Sequence, residues 1–66
     1  MDLVKIGKYI ASKRKSLGMT QKQLAEKLGM SDKSASKWER GVCLPDVSVY
    51  KELCSILGIS LNEFLA

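Results

Sequence analysis

Four of the five glycines in this 66-residue chain directly follow a stretch of helical amphipathicity: Leu17-Gly18, Leu28-Gly29, Arg40-Gly41 and Leu57-Gly58. Glycine just past a helix takes the left-handed conformation that closes the last turn, at no steric cost. That placement constrains the fold more than any other feature, because it cuts the chain into short helices at four fixed points. Start signals agree with the stops. Thr20 with Gln23 and Ser60 with Glu63 fit the S/T-x-x-E/Q capping box, Ser31 and Asp46 are good N-caps, and Pro45 bars a helix from running through its position. The spacing predicts five helices, about 5–17, 21–28, 32–40, 47–57 and 61–65, with residues 1–4 as an arm. Gly7 falls near the start of the first, where fraying reduces its cost of about 1 kcal/mol. No stretch shows strand-like alternation.

Apolar residues recur at helical spacing: Ile6, Ile10 and Leu17; Leu24, Ala25 and Leu28; Ala35 and Trp38; Tyr50, Leu53, Cys54 and Leu57; Leu61, Phe64 and Leu65. One small all-helical core collects them. A chain of this length buries only about 60% of its unfolded surface and has room for one domain, residues 1–66, with its core at about 6–65.

Composition narrows the function classes. Lysine and arginine outnumber aspartate and glutamate 11 to 7, a formal charge of +4, and the sequence pI of about 9.3 favours polyanionic partners. There is no histidine, so Cys43 and Cys54 can assemble neither a four-ligand zinc site nor a Cys-His nucleophile, and they read as buried or idle thiols rather than a disulfide. Paired carboxylates and a glycine-rich phosphate loop are also missing. An enzyme is not expected, nor a metal or cofactor. The longest apolar runs fall far short of the roughly 18 residues that a membrane span needs, and the N-terminus lacks a signal-peptide apolar stretch, so a soluble cytoplasmic protein is expected.

Only Gly29, Met30 and the cap Ser31 join the second and third helices, a length that forces a sharp angle of the helix-turn-helix kind. In the third helix, steps of about 100° per residue put Ala35 and Trp38 on one side and Asp32, Lys33, Ser36 and Lys37 on the other. A short helix with an apolar back and a polar, basic front suits the major groove of DNA. Most charged helix faces are merely solvated, but Thr20 and Gln21 shift the balance. They open the preceding helix with free backbone N–H groups, a ready phosphate site. The expected reader is 31–40.

The segments Met19-Thr20-Gln21-Lys22-Gln23-Leu24-Ala25-Glu26-Lys27-Leu28-Gly29, Ser31 through Ser36-Lys37-Trp38-Glu39-Arg40-Gly41, and Leu57-Gly58-Ile59-Ser60 together resemble the Cro/phage-repressor family of helix-turn-helix transcriptional regulators, often called the xenobiotic-response-element family. The resemblance runs from about Ile6 to Leu65, and T-Q-x-x-L-A followed by W-E-R-G is far more specific than either half. It implies a compact, all-α, five-helix lambda-repressor-like domain that docks as a symmetric homodimer on a roughly palindromic operator in double-stranded DNA, acting in regulation and more often in repression than activation. By the same resemblance Gln21 holds phosphate, Ser31, Asp32, Lys33, Ser36 and Lys37 face base edges, Arg40 approaches the backbone, and a salt bridge joins Arg14 to Glu39. Free in solution the chain is expected to be largely monomeric.

Two departures from the family pattern stand out. Ala35 replaces a branched aliphatic residue, so Trp38 or its neighbours must fill the space. Asp32 is an acid beside a polyanion, and it either accepts from a cytosine amino group or only favours the helix N-terminus. Lys5, Lys8, Lys13 and Lys15 make the first helix basic, by phosphate contact or simple solvation. The rival reading is a protein-interaction module or antitoxin-type partner using the same fold. Such a module is expected to expose an apolar patch, which the periodicity does not reveal.

Overall fold

The computed structural model describes residues 2–59. They form four helices: α1 (Leu3–Ser16), α2 (Gln21–Lys27), α3 (Asp32–Glu39) and α4 (Val47–Leu57). The five-helix expectation is thereby corrected to four helices among the described residues. The stretch 61–65, with its capping box at Ser60 and Glu63, lies outside them. Ile59, just past Gly58, is buried and joins the core that α1 to α4 enclose.

Each helix stops by the same pair of bonds. At the end of α2 the Gly29 N–H reaches the Glu26 carbonyl at 3.2 Å and the Met30 N–H reaches back to Ala25 at 2.9 Å, a Schellman closure with Gly29 at φ 68°. The bond made by the residue after the glycine recurs from Met19 to Arg14 (3.1 Å), Val42 to Lys37 (2.9 Å) and Ile59 to Cys54 (3.0 Å). Helix starts are more varied. Thr20 and Gln23 close a full capping box on α2, and the Ser31 hydroxyl accepts from the Ser34 N–H on α3. Asp46 holds the cap position of α4, but its carboxylate accepts from the Ser48 hydroxyl instead of a backbone N–H.

The expected arm at 1–4 is also corrected. Asp2 caps α1, its carboxylate accepting from the N–H groups of Val4 at 2.9 Å and Lys5 at 3.3 Å, so Leu3 and Val4 are helical. An acid at the N-cap satisfies donors that the first turn otherwise leaves orphaned.

Ile10, Leu24 and Leu53 are wholly buried and come from three different helices, with Ile6, Ala25, Leu28, Ala35, Trp38, Cys54, Leu57 and Ile59 around them. Leu17, counted by its spacing as core, is 52% exposed because it is the C-cap of α1, where the chain leaves the helix. Ala35 and Trp38 are both buried in this cluster, which gives α3 its apolar back. Tyr50, half-buried on α4, has its phenol pushed from 10.0 up to about 12, first by burial and then by the charge of Cys54.

Gly7 does more than tolerate the start of a helix. A Cβ built there would collide with the carbonyl oxygen of Trp38 and come within 2.6 Å of that of Glu39. The backbone of α1 thus lies directly against the last turn of α3. Helix propensity alone makes Gly7→Ala stabilising by about 1 kcal/mol. The contact reverses the sign, and the substitution should destabilise the domain by roughly 1–3 kcal/mol, as overpacking of a close interface does. A urea-unfolding midpoint at or above that of the unmodified chain would contradict this packing.

Candidate nucleic-acid interface

The interface grows from the junction of three helix ends. Arg14, in the last turn of α1, points inward and is buried. Its Nε donates to Glu39 Oε2 at 2.7 Å, one Nη donates to Glu39 Oε1 at 3.0 Å, and the other Nη donates to the Met19 carbonyl at 2.6 Å. The two side chains are only 10% and 6% exposed. The guanidinium therefore grips the carboxylate two-pronged and also holds the loop that leads into α2. Geometry of this kind makes a buried ion pair tolerable, because the two charges meet through two bonds and each has a further partner, Met19 for Arg14 and Gln21 for Glu39.

The same carboxylate reaches a third element. Gln21, the first residue of α2, donates from Nε2 to Glu39 Oε1 at 3.1 Å. The amide–carboxylate bond spans 18 residues of sequence and has no periodic signature. It sets the start of α2 against the end of α3.

On the outer side of this junction a cleft of about 330 Å³ is lined by Gln21, Asp32, Lys33, Ser36, Lys37 and Arg40. Three cations face one carboxylate there, so the cleft is positive. Ala35 and Trp38 turn the opposite way into the core. Asp32, Lys33, Lys37 and Arg40 are exposed, while Ser36 and Gln21 are half-buried. Asp32 also stands in the first turn of α3, where a negative charge favours the helix dipole.

Not every candidate residue joins the cleft. Ser31 is occupied as the cap of α3, its hydroxyl 3.3 Å from that of Ser34, and Thr20 is occupied by the capping box of α2. Both define where helices begin rather than line the cleft. Arg40 is folded back along α3, its Nε donating to the Ser36 carbonyl at 3.3 Å and the Ser36 hydroxyl at 3.2 Å. Of the lysines on α1, none lines the cleft, and the Lys13 ammonium sits 5.6 Å from the centre of the Tyr9 ring. Among the described residues no cluster of histidine, cysteine, aspartate or glutamate could hold a metal ion, and neither Cys43 nor Cys54 is in a disulfide.

Removing the charge of Glu39 tests the junction. Loss of one partner from a buried pair costs roughly 3–5 kcal/mol, whereas a change at an exposed site such as Lys15 stays within about 0.5 kcal/mol. Glu39→Gln should lower the melting temperature by well over about 5 °C in a domain of this size. An unchanged melting curve would mean that Arg14 is held by Met19 alone.

The helix-turn-helix family model matches residues 10–64 of the chain. The chain is 35% identical over 60 residues to the cryptic phage CTXphi transcriptional repressor RstR of Vibrio cholerae, covering 91% of this chain and 54% of that protein. It is 32% identical over 60 residues to the HTH-type transcriptional regulator ImmR of Bacillus subtilis, covering 91% and 47%. The chain therefore spans about half the length of the curated relatives it matches. Among solved structures, the restriction-modification controller protein C.AhdI from Aeromonas hydrophila superposes with a TM-score of 0.83 at 29% identity, covering 94% of this chain and 90% of that one. The clp gene regulator ClgR from Corynebacterium glutamicum gives 0.85 at 28% identity, covering 98% and 69%. With the family model spanning most of its length and α2 and α3 set as its motif requires, the chain belongs to the Cro/phage-repressor-type helix-turn-helix family.

Proposed function

We propose that the chain binds double-stranded DNA sequence-specifically and acts as a transcriptional repressor, with α3 entering the major groove. The observation that carries the reading is the positive cleft on the outer face of α3. Lys33, Lys37 and Arg40 converge there beside Asp32 and Gln21, while Ala35 and Trp38 anchor the opposite face. Charge favours the phosphate backbone, and a mixed set of donors and acceptors suits base edges. The repressor and regulator names of the similar proteins support the same function.

In this reading Gln21 and the start of α2 hold a phosphate through Nε2 and free backbone N–H groups, with Thr20 fixing that helix end. Lys33, Lys37 and Asp32 meet base edges, with Ser31 and Ser36 beside them. Two copies bind a roughly palindromic operator, each presenting one α3 to the groove. No helix among the described residues is long and apolar enough to cross a membrane. A second reading, a protein-interaction module, draws on the exposed Val42, Leu44 and Val47 in and just after the loop that follows α3. It leaves the charged cleft without a role, and DNA binding uses it.

Positioning and reading separate experimentally. Gln21→Ala should weaken binding to a selected operator and to random duplexes alike, because phosphates carry no sequence information. Lys37→Ala, and likewise Lys33→Ala, should relax preference at particular operator positions by roughly 1–3 kcal/mol. The variants are measured on a panel of single-base operator changes at two salt concentrations. If a lysine variant keeps the original ranking of sites while its salt slope falls by about one unit, that lysine only neutralises phosphate.

A further inference from the structure

We infer that Arg40 is a specificity-determining residue that reads guanine in the groove, with Ser36 as the residue that positions it. The inference rests on the DNA-binding reading above and assigns Arg40 a different task from the backbone approach that the family resemblance implies.

Arg40 is the C-cap of α3, the point from which an exposed side chain is free to extend beyond the helix. It instead turns back over the outer face. Its single Nε–H is shared between the carbonyl oxygen of Ser36 at 3.3 Å and the hydroxyl of Ser36 at 3.2 Å, one helical turn earlier. This pose brings the guanidinium into the cleft beside Lys33 and Lys37. Among the described residues it makes no other hydrogen bond, so both terminal nitrogens keep their N–H groups for a ligand.

The chemistry of the fork favours a base edge over a phosphate. Parallel N–H groups in a fixed plane match the O6 and N7 acceptors of guanine, the commonest specific contact in the major groove. A point charge meant only for phosphate gains nothing from being drawn inward along the reader face, since phosphates line the groove on both sides. Holding Nε also removes side-chain freedom before binding, and a fork aimed in advance loses less on contact. The Ser36 hydroxyl accepts from Arg40, so its effect on sequence preference passes through the arginine.

The test uses the full chain and an operator selected by it from random duplex DNA. Affinities of the unmodified chain, Arg40→Lys, Ser36→Ala and the double variant are measured on all single-base changes of that operator. The unmodified chain should prefer guanine at one position by about tenfold or more, the size of one good bidentate contact. Arg40→Lys keeps the charge but loses the planar fork, and should cut that preference severalfold while leaving the ranking elsewhere intact. Ser36→Ala should weaken preference at that same position, and the double variant should behave as Arg40→Lys alone. A guanine preference in Arg40→Lys as strong as in the unmodified chain overturns the inference and leaves DNA binding standing. Effects of Ser36→Ala at a different position, or adding fully to those of Arg40→Lys, overturn the positioning role. A chain with no preference among duplexes overturns this inference together with the sequence-specific reading.

Discussion

The carboxylate of Glu39 ties three helices together. Arg14 brings the end of α1 to it, Gln21 brings the start of α2, and Glu39 itself is the last residue of α3. Both charges of the pair are nearly out of water, and a charge in that position is tolerable only while its partners stay in place. The spacing between the start of α2 and the outer face of α3 is therefore set by a network with little freedom. The cleft lies across that spacing, with Gln21 on one side and Lys37 and Arg40 on the other.

This matters because α3 has only eight residues. A helix so short does not persist in water on its own, and its shape depends on what it is packed against. Ala35 and Trp38 supply the apolar side of that packing, and Gly7 lets the α1 backbone close directly onto the Trp38 and Glu39 carbonyls. Alternate duties fall on neighbouring residues of the last turn. Lys37 faces outward, Trp38 is buried, Glu39 closes the ion pair and Arg40 returns to the outer face. Few positions on α3 can change without disturbing either its anchor or its exposed chemistry.

How much of this could be read from the sequence depended on whether the signal was local. The stops at Gly18, Gly29, Gly41 and Gly58 and the capping box at Thr20 and Gln23 were legible because each is a few-residue motif with its own hydrogen bonds. The two faces of α3 were legible because helical periodicity sorts them. Leu17 misled because the periodic pattern runs one residue past the point where the helix ends. Asp2 has Lys5 three residues on, not the Glu or Gln of a capping box, so its role as a cap shows only in its bonds to the Val4 and Lys5 N–H groups. The role of Gly7 itself, and the bond from Gln21 to Glu39, depend on residues 18 or more positions apart and leave no trace in spacing. The turn of Arg40 onto Ser36 has the four-residue separation of a helix pair, but a residue at a helix end can equally extend away from it, and spacing does not choose between the two.

The face formed by the start of α2 and the outside of α3 is the proposed site of DNA binding. Amide chemical-shift mapping by NMR, with the full chain titrated with a selected duplex, tests it most directly. The largest changes are expected at Gln21, Asp32, Lys33, Lys37 and Arg40, with the exposed residues of α4, such as Lys51 and Glu52, nearly unmoved. Changes concentrated on α4 or around Val42 to Val47, with the α3 face silent, would contradict it.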